Sequence, residues 1–365
     1  MCKCGCKGYH TINPILQVIA WMASTCATGK TATHDHLGEA LKRSAEPIGV
    51  QALLVQVRAD WPALRSIFRF PAWNVAGCIC WKCTATLQTF RLCGSSAPWR
   101  QPGQRLTSED WLQNCRDSGV FPALFTLPWF STDHICIDWL HVVDLGVLGD
   151  LHGNALMDLL VEQEGPTLVA KCAALWAKIC EWYKIFKPPA RLDDLTIELF
   201  RPAANKPPKL RAKGGEARYL LPIMFELTSH WRSPQTEHGD ARTEHLFTVG
   251  LVVKKMYELQ LVIAAMPYDQ AQASACCRTV CLHLSALEQE SIALGSSAWR
   301  MKPKVHMLQE MIEYSGDMGS PQNYWNYQDE SWVGFLGKCA QRRGGRIGPN
   351  VPAERLLNAY RAGLC

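Results

Sequence analysis

The feature that most constrains this chain is the stretch 135–150, ICIDWLHVVDLGVLGD. Ile135, Cys136 and Ile137 form a short apolar run that ends in Asp138. His141 follows three residues later, then Asp144 and Asp150 with glycines between them. An acid at the end of a buried strand, followed by a histidine and further acids, is one way to hold a divalent metal. The same order of residues also caps a helix packed on a sheet, with no chemistry involved. Spacing alone leaves both readings open.

Bulk properties narrow the classes. A chain of 365 residues holds one large α/β domain or two ordinary ones, so a sizeable core is expected. Hydrophobic content of 48% against 19% charged is globular and rather apolar, which excludes a disordered chain. The net charge of +5 permits contact with nucleic acid without demanding it. The sequence shows no run of about 18 apolar residues and no basic-then-apolar leader. The expectation is a nuclear or cytoplasmic protein, not secreted and with no membrane partner. Its 17 cysteines are then expected to stay reduced, some of them binding metal. The 14 tryptophans point first to core packing.

In order, residues 1–49 are a cysteine-containing segment with a helix and a loop. Cys2, Cys4 and Cys6 alternate, and the abrupt start reads like the interior of a longer protein. Helical spacing runs over 12–26, and a polar loop with His34, Asp35 and His36 fills 28–47. Residues 50–150 read as part of an α/β core. The run 50–58 predicts a strand, with Asp60 at its carboxyl end and Pro62 suited to the first turn of a helix over 61–70. Ligand sites of open α/β sheets gather at such strand ends. Cys78, Cys80 and Cys83, with Cys93 ten residues on, form the best zinc candidate, and the alternative is reduced cysteines in a loop. A short helix is expected at 108–116.

Residues 151–300 read as a helical insertion, with helices at 154–164, 168–186, 219–231, 243–266 and 270–294. Within it, 206–218 is the densest basic segment. Lys209, Arg211 and Lys213 there are candidate phosphate contacts, against the alternative of a solvated loop. Residues 301–365 read as a C-terminal helical part that completes the core. It carries His306, then Glu330 in a helical pattern, then a second basic cluster including Arg342 and Arg343.

These landmarks fall in an order that resembles the transposases of CACTA-type and related cut-and-paste DNA transposons. The matching pieces are the strand and Asp-x-Pro-Ala of 57–63, the Cys-x-x-Cys of Cys80 and Cys83, and Ile137-Asp138-Trp-Leu-His141. Lys213-Gly-Gly-Glu216-Ala-Arg218, Pro303-Lys-Val-His306, and Trp325 with Asp329-Glu330 follow. The resemblance covers 50–335, and its specificity lies in the order of its motifs. It implies a mixed α+β fold, mostly α by residue count: a partial ribonuclease-H-like core interrupted by a large helical insertion. It implies two aspartates and a glutamate holding two Mg²⁺ ions for strand cleavage and transfer, with DNA as partner and a homo-oligomer allowed. Carried over by position, Asp60 and Asp138 with His141 match the family's acidic elements, and Glu330 or Glu216 supplies the glutamate. The family's first aspartate lies on an earlier strand, and no strand is evident before residue 50. The expectation is therefore a transposase-derived DNA-binding protein whose cleavage chemistry has lapsed. A zinc-stabilised helical interaction module without catalysis is the main alternative. A metal-dependent hydrolase using Asp138, His141 and Asp144 is the third.

Overall fold

Helical periodicity dominates the sequence beyond residue 150, and several helices start at a capping side chain. The computed structural model describes residues 9–42, 45–201, 203, 205–233, 239–314, 318–331 and 358. Cys2, Cys4, Cys6, Arg342 and Arg343 lie outside the described residues. The chain forms two compact units, Met1–Tyr324 and Trp325–Cys365, and the boundaries expected near 50, 151 and 301 all fall inside the first.

The described fold is mostly helical, with one two-stranded parallel sheet. Its elements are α1 (Tyr9–Thr28), β1 (Val57–Ala59), α2 (Trp61–Phe68), α3 (Ser108–Asp117), β2 (Ile135–Ile137) and α4 (Leu148–Val161). They continue with α5 (Leu168–Phe186), α6 (Ile197–Phe200), α7 (Gly214–Leu227), α8 (Ala241–Ala264), α9 (Gln270–Ala293) and α10 (Pro303–Glu313). Side-chain caps set several starts. Asp60 accepts from the Ala63 amide at 2.8 Å, Thr167 from Ala170 at 3.2 Å, Asp240 from Thr243 at 2.9 Å and Asp269 from Gln272 at 2.9 Å. Each such cap contributes about 1 kcal/mol.

The strand expected over 50–58 is corrected to its last residues. Only Val57–Ala59 pairs, while Val50, Leu53 and Val55 are exposed. β-branched residues favour a strand only where a neighbouring strand supplies the ladder, and residues 51–56 have none among the described residues.

The stretch 135–150 is the centre of the unit. β2 is buried throughout and pairs with β1 in parallel, Val57 with Ile135 through Ala59 with Ile137. The chain then turns into Leu140–Val147, wound wider than an α-helix, with the Leu148 amide donating to the Val143 carbonyl five residues back. α4 continues it and buries Leu148, Leu151, Ala155, Leu156, Leu159 and Leu160, with α5, α6, α7 and α8 packed around it. Apolar residues on every side mark a central helix. Beyond it, α8 and α9 form a helical hairpin, and α10 packs on α9, on the wide turns and on β2.

Candidate functional site

A cavity of about 310 Å³ opens where the two strands end. Asp60 follows β1 directly and Asp138 follows β2 directly, so the parallel register delivers both acids to the same place. Both line the cavity, with His141, Asp150, Lys209, Lys302 and Lys304. Apolar wall comes from Trp61, Pro62, Trp73, Trp81 and Met307.

Each acid is locally tied. Asp60 Oδ1 caps α2. Asp138 is buried, accepts from the Leu140 amide at 3.2 Å and the His141 amide at 3.0 Å, and meets His141 Nδ1 at 2.5 Å. Asp150 pairs with Lys302, and Lys304 donates to the His141 carbonyl at 2.5 Å. The Lys209 ammonium makes no ion pair among the described residues. Burial holds the pKa values of Lys209 and Lys304 below the ordinary lysine range.

Glycines explain how the lysines get there. Gly146, Gly149 and Gly153 recur at helical spacing on one face. A Cβ at Gly153 would stand 2.5 Å from both the Cα and the amide nitrogen of Lys209, and one at Gly146 would stand 2.4 Å from the Lys304 side chain. The segment bearing Lys209 therefore lies directly on the helix, fixed by the Leu210 amide donating to the Gly149 carbonyl at 2.8 Å.

Within the first unit, the other expected residues lie elsewhere. Glu216 is spent on the start of α7, where its oxygens accept from the Lys213 amide at 2.9 Å and ammonium at 2.8 Å, and it does not line the cavity. Lys213 is committed to that contact, and Arg211 is exposed. Glu330 belongs to the second unit and is exposed there. Asp144 is buried on the wide-turn segment, where it accepts from Trp139 Nε1 at 3.2 Å and faces Arg218 at 3.9 Å.

The cysteines form a different set from the one spacing suggests. Cys80 and Cys83 meet His306 and Glu310, all four buried, with ligand atoms within 4.8 Å of one another. This group could hold a metal ion. His306 Nε2 lies 3.3 Å from Cys83 Sγ and 3.5 Å from Glu310 Oε1. Two donors on one tetrahedral zinc stand about 3.3–3.8 Å apart, given its bond lengths. Arg105 holds Glu310 with two bonds of 2.8 and 2.9 Å. Burial opposes ionisation of Cys80, yet hydrogen bonds from Cys83 and His306 bring its thiol down to about 6. Cys83 moves the opposite way, because its proton is held by Cys80. Cys78 instead donates to the Cys80 and Cys83 carbonyls at 2.8 and 2.9 Å. Cys93 receives from Gln309 at 3.6 Å.

Asp150 stood among the acids of the 135–150 stretch, but sequence reasoning passed over Lys302, Lys304 and Glu310 as site residues. The signal for Glu310 was its spacing four residues after His306 on one helix face. Nothing local marked Lys302 or Lys304.

Comparison with protein-family models, with curated proteins and with solved structures returns no match. No helix among the described residues is long and apolar enough to cross a membrane.

Proposed function

We propose that the chain is a transposase-derived nucleic-acid-binding protein with a phosphodiester site in the cavity at the strand ends. The observation that carries this reading is the joint presence there of Asp60, Asp138, Lys209, Lys302 and Lys304. Acids at the carboxyl ends of adjacent parallel strands are what a partial ribonuclease-H-like core would present. Three lysines against three aspartates leave these charges balanced, so a phosphate alone gains little net attraction. One divalent cation on the aspartates would tip the site positive. Asp60 and Asp138 suit Mg²⁺ in donor type, since it takes oxygen ligands and is often held by one or two carboxylates plus substrate phosphate. Bound there, Mg²⁺ would supply charge neutralisation to a phosphodiester.

The reading is of a binding protein whose strand cleavage and transfer is ancestral. Glu216 is committed to α7, and Asp150, the remaining acid of the cavity, is neutralised by Lys302. Zinc is the ion we assign to Cys80, Cys83, His306 and Glu310, as a structural staple between the 80–83 loop and α10. That buried set also favours a second reading, a zinc-stabilised interaction module without catalysis. The two separate on DNA binding. The first predicts that affinity falls as salt rises, increases with Mg²⁺, and drops when Lys209 and Lys304 are replaced by alanine. Binding indifferent to salt and to both lysines overturns it.

A further inference from the structure

We infer that the cavity takes one nucleotide out of its stack, with the base against Trp73 and Trp61 and the phosphate on Lys209 and Lys304. The inference rests on the nucleic-acid reading and names the form of nucleic acid it requires, an unpaired strand.

The walls are unlike those of a site for phosphate alone. Three tryptophans, two prolines and a methionine line it beside the charged groups. A bare phosphodiester contact needs cations and amides, while aromatic faces serve a base. Trp73 is 55% exposed although it lines the cavity. Its neighbours are closed off: Trp81 stacks on Phe70 at 4.4 Å with the rings almost parallel, and both are buried. Trp73 thus leaves much of its surface uncovered beside the lysines.

A second observation also points to a ligand. Trp81 is buried and lines the same cavity, and its Nε1–H has no hydrogen-bond partner among the described residues. Buried donors are nearly always paired. A base edge offers ring-nitrogen and carbonyl acceptors, and a base held beside Trp81 would supply one. The cavity volume lies at the small end of the range for ligand sites, the scale of a single base and not of a duplex. Stacked, paired bases cannot enter such a space, whereas an extruded or single-stranded base can. The cation side is in place as well. Lys209 approaches across Gly153, and Lys304 across Gly146.

The test uses the full chain in Mg²⁺-containing buffer, with a fluorescein-labelled single-stranded oligonucleotide and the duplex of the same sequence, each titrated over a salt series. The expected result is tighter binding of the single strand by about tenfold or more. Trp73→Ala should lose about tenfold to a hundredfold on the single strand, leave duplex affinity unchanged, and be restored largely by Trp73→Phe. Trp73 is exposed, so its removal does not threaten the fold, and an unchanged melting temperature checks this. Equal binding of both forms, or a Trp73→Ala variant with wild-type affinity for the single strand, overturns the inference and leaves the nucleic-acid reading standing. Salt-sensitive binding of neither form overturns the nucleic-acid reading, and the inference falls with it.

Discussion

Asp60 and Asp138 occupy equivalent places on two adjacent parallel strands, each one residue past the last paired position. Neighbouring strands lie about 4.8 Å apart. Two carboxylates delivered at that spacing to one cavity repel each other unless a cation or hydrogen bonds intervene. Here the bonds from Ala63, Leu140 and His141 hold them in place.

Replacing Asp60 with Asn separates its two roles. Asparagine caps helices as well as aspartate does, so stability should change by less than about 1 kcal/mol. The gain in DNA affinity on adding Mg²⁺ should shrink sharply. Asp138→Asn should cost about 1–3 kcal/mol in urea denaturation, because one amide cannot accept all that the carboxylate accepts. An Asp60→Asn protein that keeps its full Mg²⁺ response would remove the acidic pair as a cation site.

The buried Cys80, Cys83, His306 and Glu310 group predicts about one zinc per chain by elemental analysis. Cys83→Ser or His306→Ala should lose it, and chelation of the parent should lower the melting temperature. Cobalt exchanged into the site should show thiolate charge-transfer absorption. Cys78→Ser should keep the metal, since its thiol is turned to backbone carbonyls.

Glycine at 153 is required by what lies over it. At an open helical site, Gly→Ala gains about 1 kcal/mol in helix propensity. At Gly153 the new Cβ meets backbone atoms of Lys209 at 2.5 Å, which cannot swing aside as a side chain can. Gly153→Ala should therefore destabilise by about 1–3 kcal/mol and weaken DNA binding as Lys209 is displaced. Gly149→Ala, whose nearest contacts are at 3.2 Å, should do less of both.

Two histidines, His152 buried and His245 half-buried, give opposite pH responses. Burial works against a charge on His245, but Asp158 and Glu290 outweigh it and raise its pKa. Its contribution is therefore full below about pH 6.5, the unfolded value, and is lost as pH rises through the folded pKa. His152 is wholly buried and held near 4, with its Nε2 on the Ala217 carbonyl. Its contribution is full above about pH 6.5 and falls by about 3 kcal/mol as pH drops toward 4. Denaturation midpoints measured across pH should show His245→Gln flattening the alkaline side and His152→Leu the acid side. An alkaline limb unchanged in His245→Gln would refute the first assignment.

Local chemistry is what the sequence settled by itself. Pro62 in a first turn and Thr107 before Asp110 mark helix starts in a few residues, and both helices begin there. The run of α5 was legible from its apolar spacing and from Pro188-Pro189 beyond its end. The stretch 135–150 declared a strand, an acid and a helix, because each depends on neighbours close in the chain. Only the tertiary structure decided partners. Val50 and Val55 have strand-forming side chains but no strand beside them, so the predicted strand shrinks to Val57–Ala59. Cys78 and Cys93 were drawn into the predicted metal set by proximity in the chain, whereas the fold supplies His306 and Glu310 from α10. Lys304 and Lys209 reach the acids only because Gly146 and Gly153 leave room on a helix far away in sequence. Hydrogen bonds within a turn are written in a few consecutive residues. Contacts between distant segments depend on which surfaces the whole chain can bury at once, and no short window of sequence carries that information.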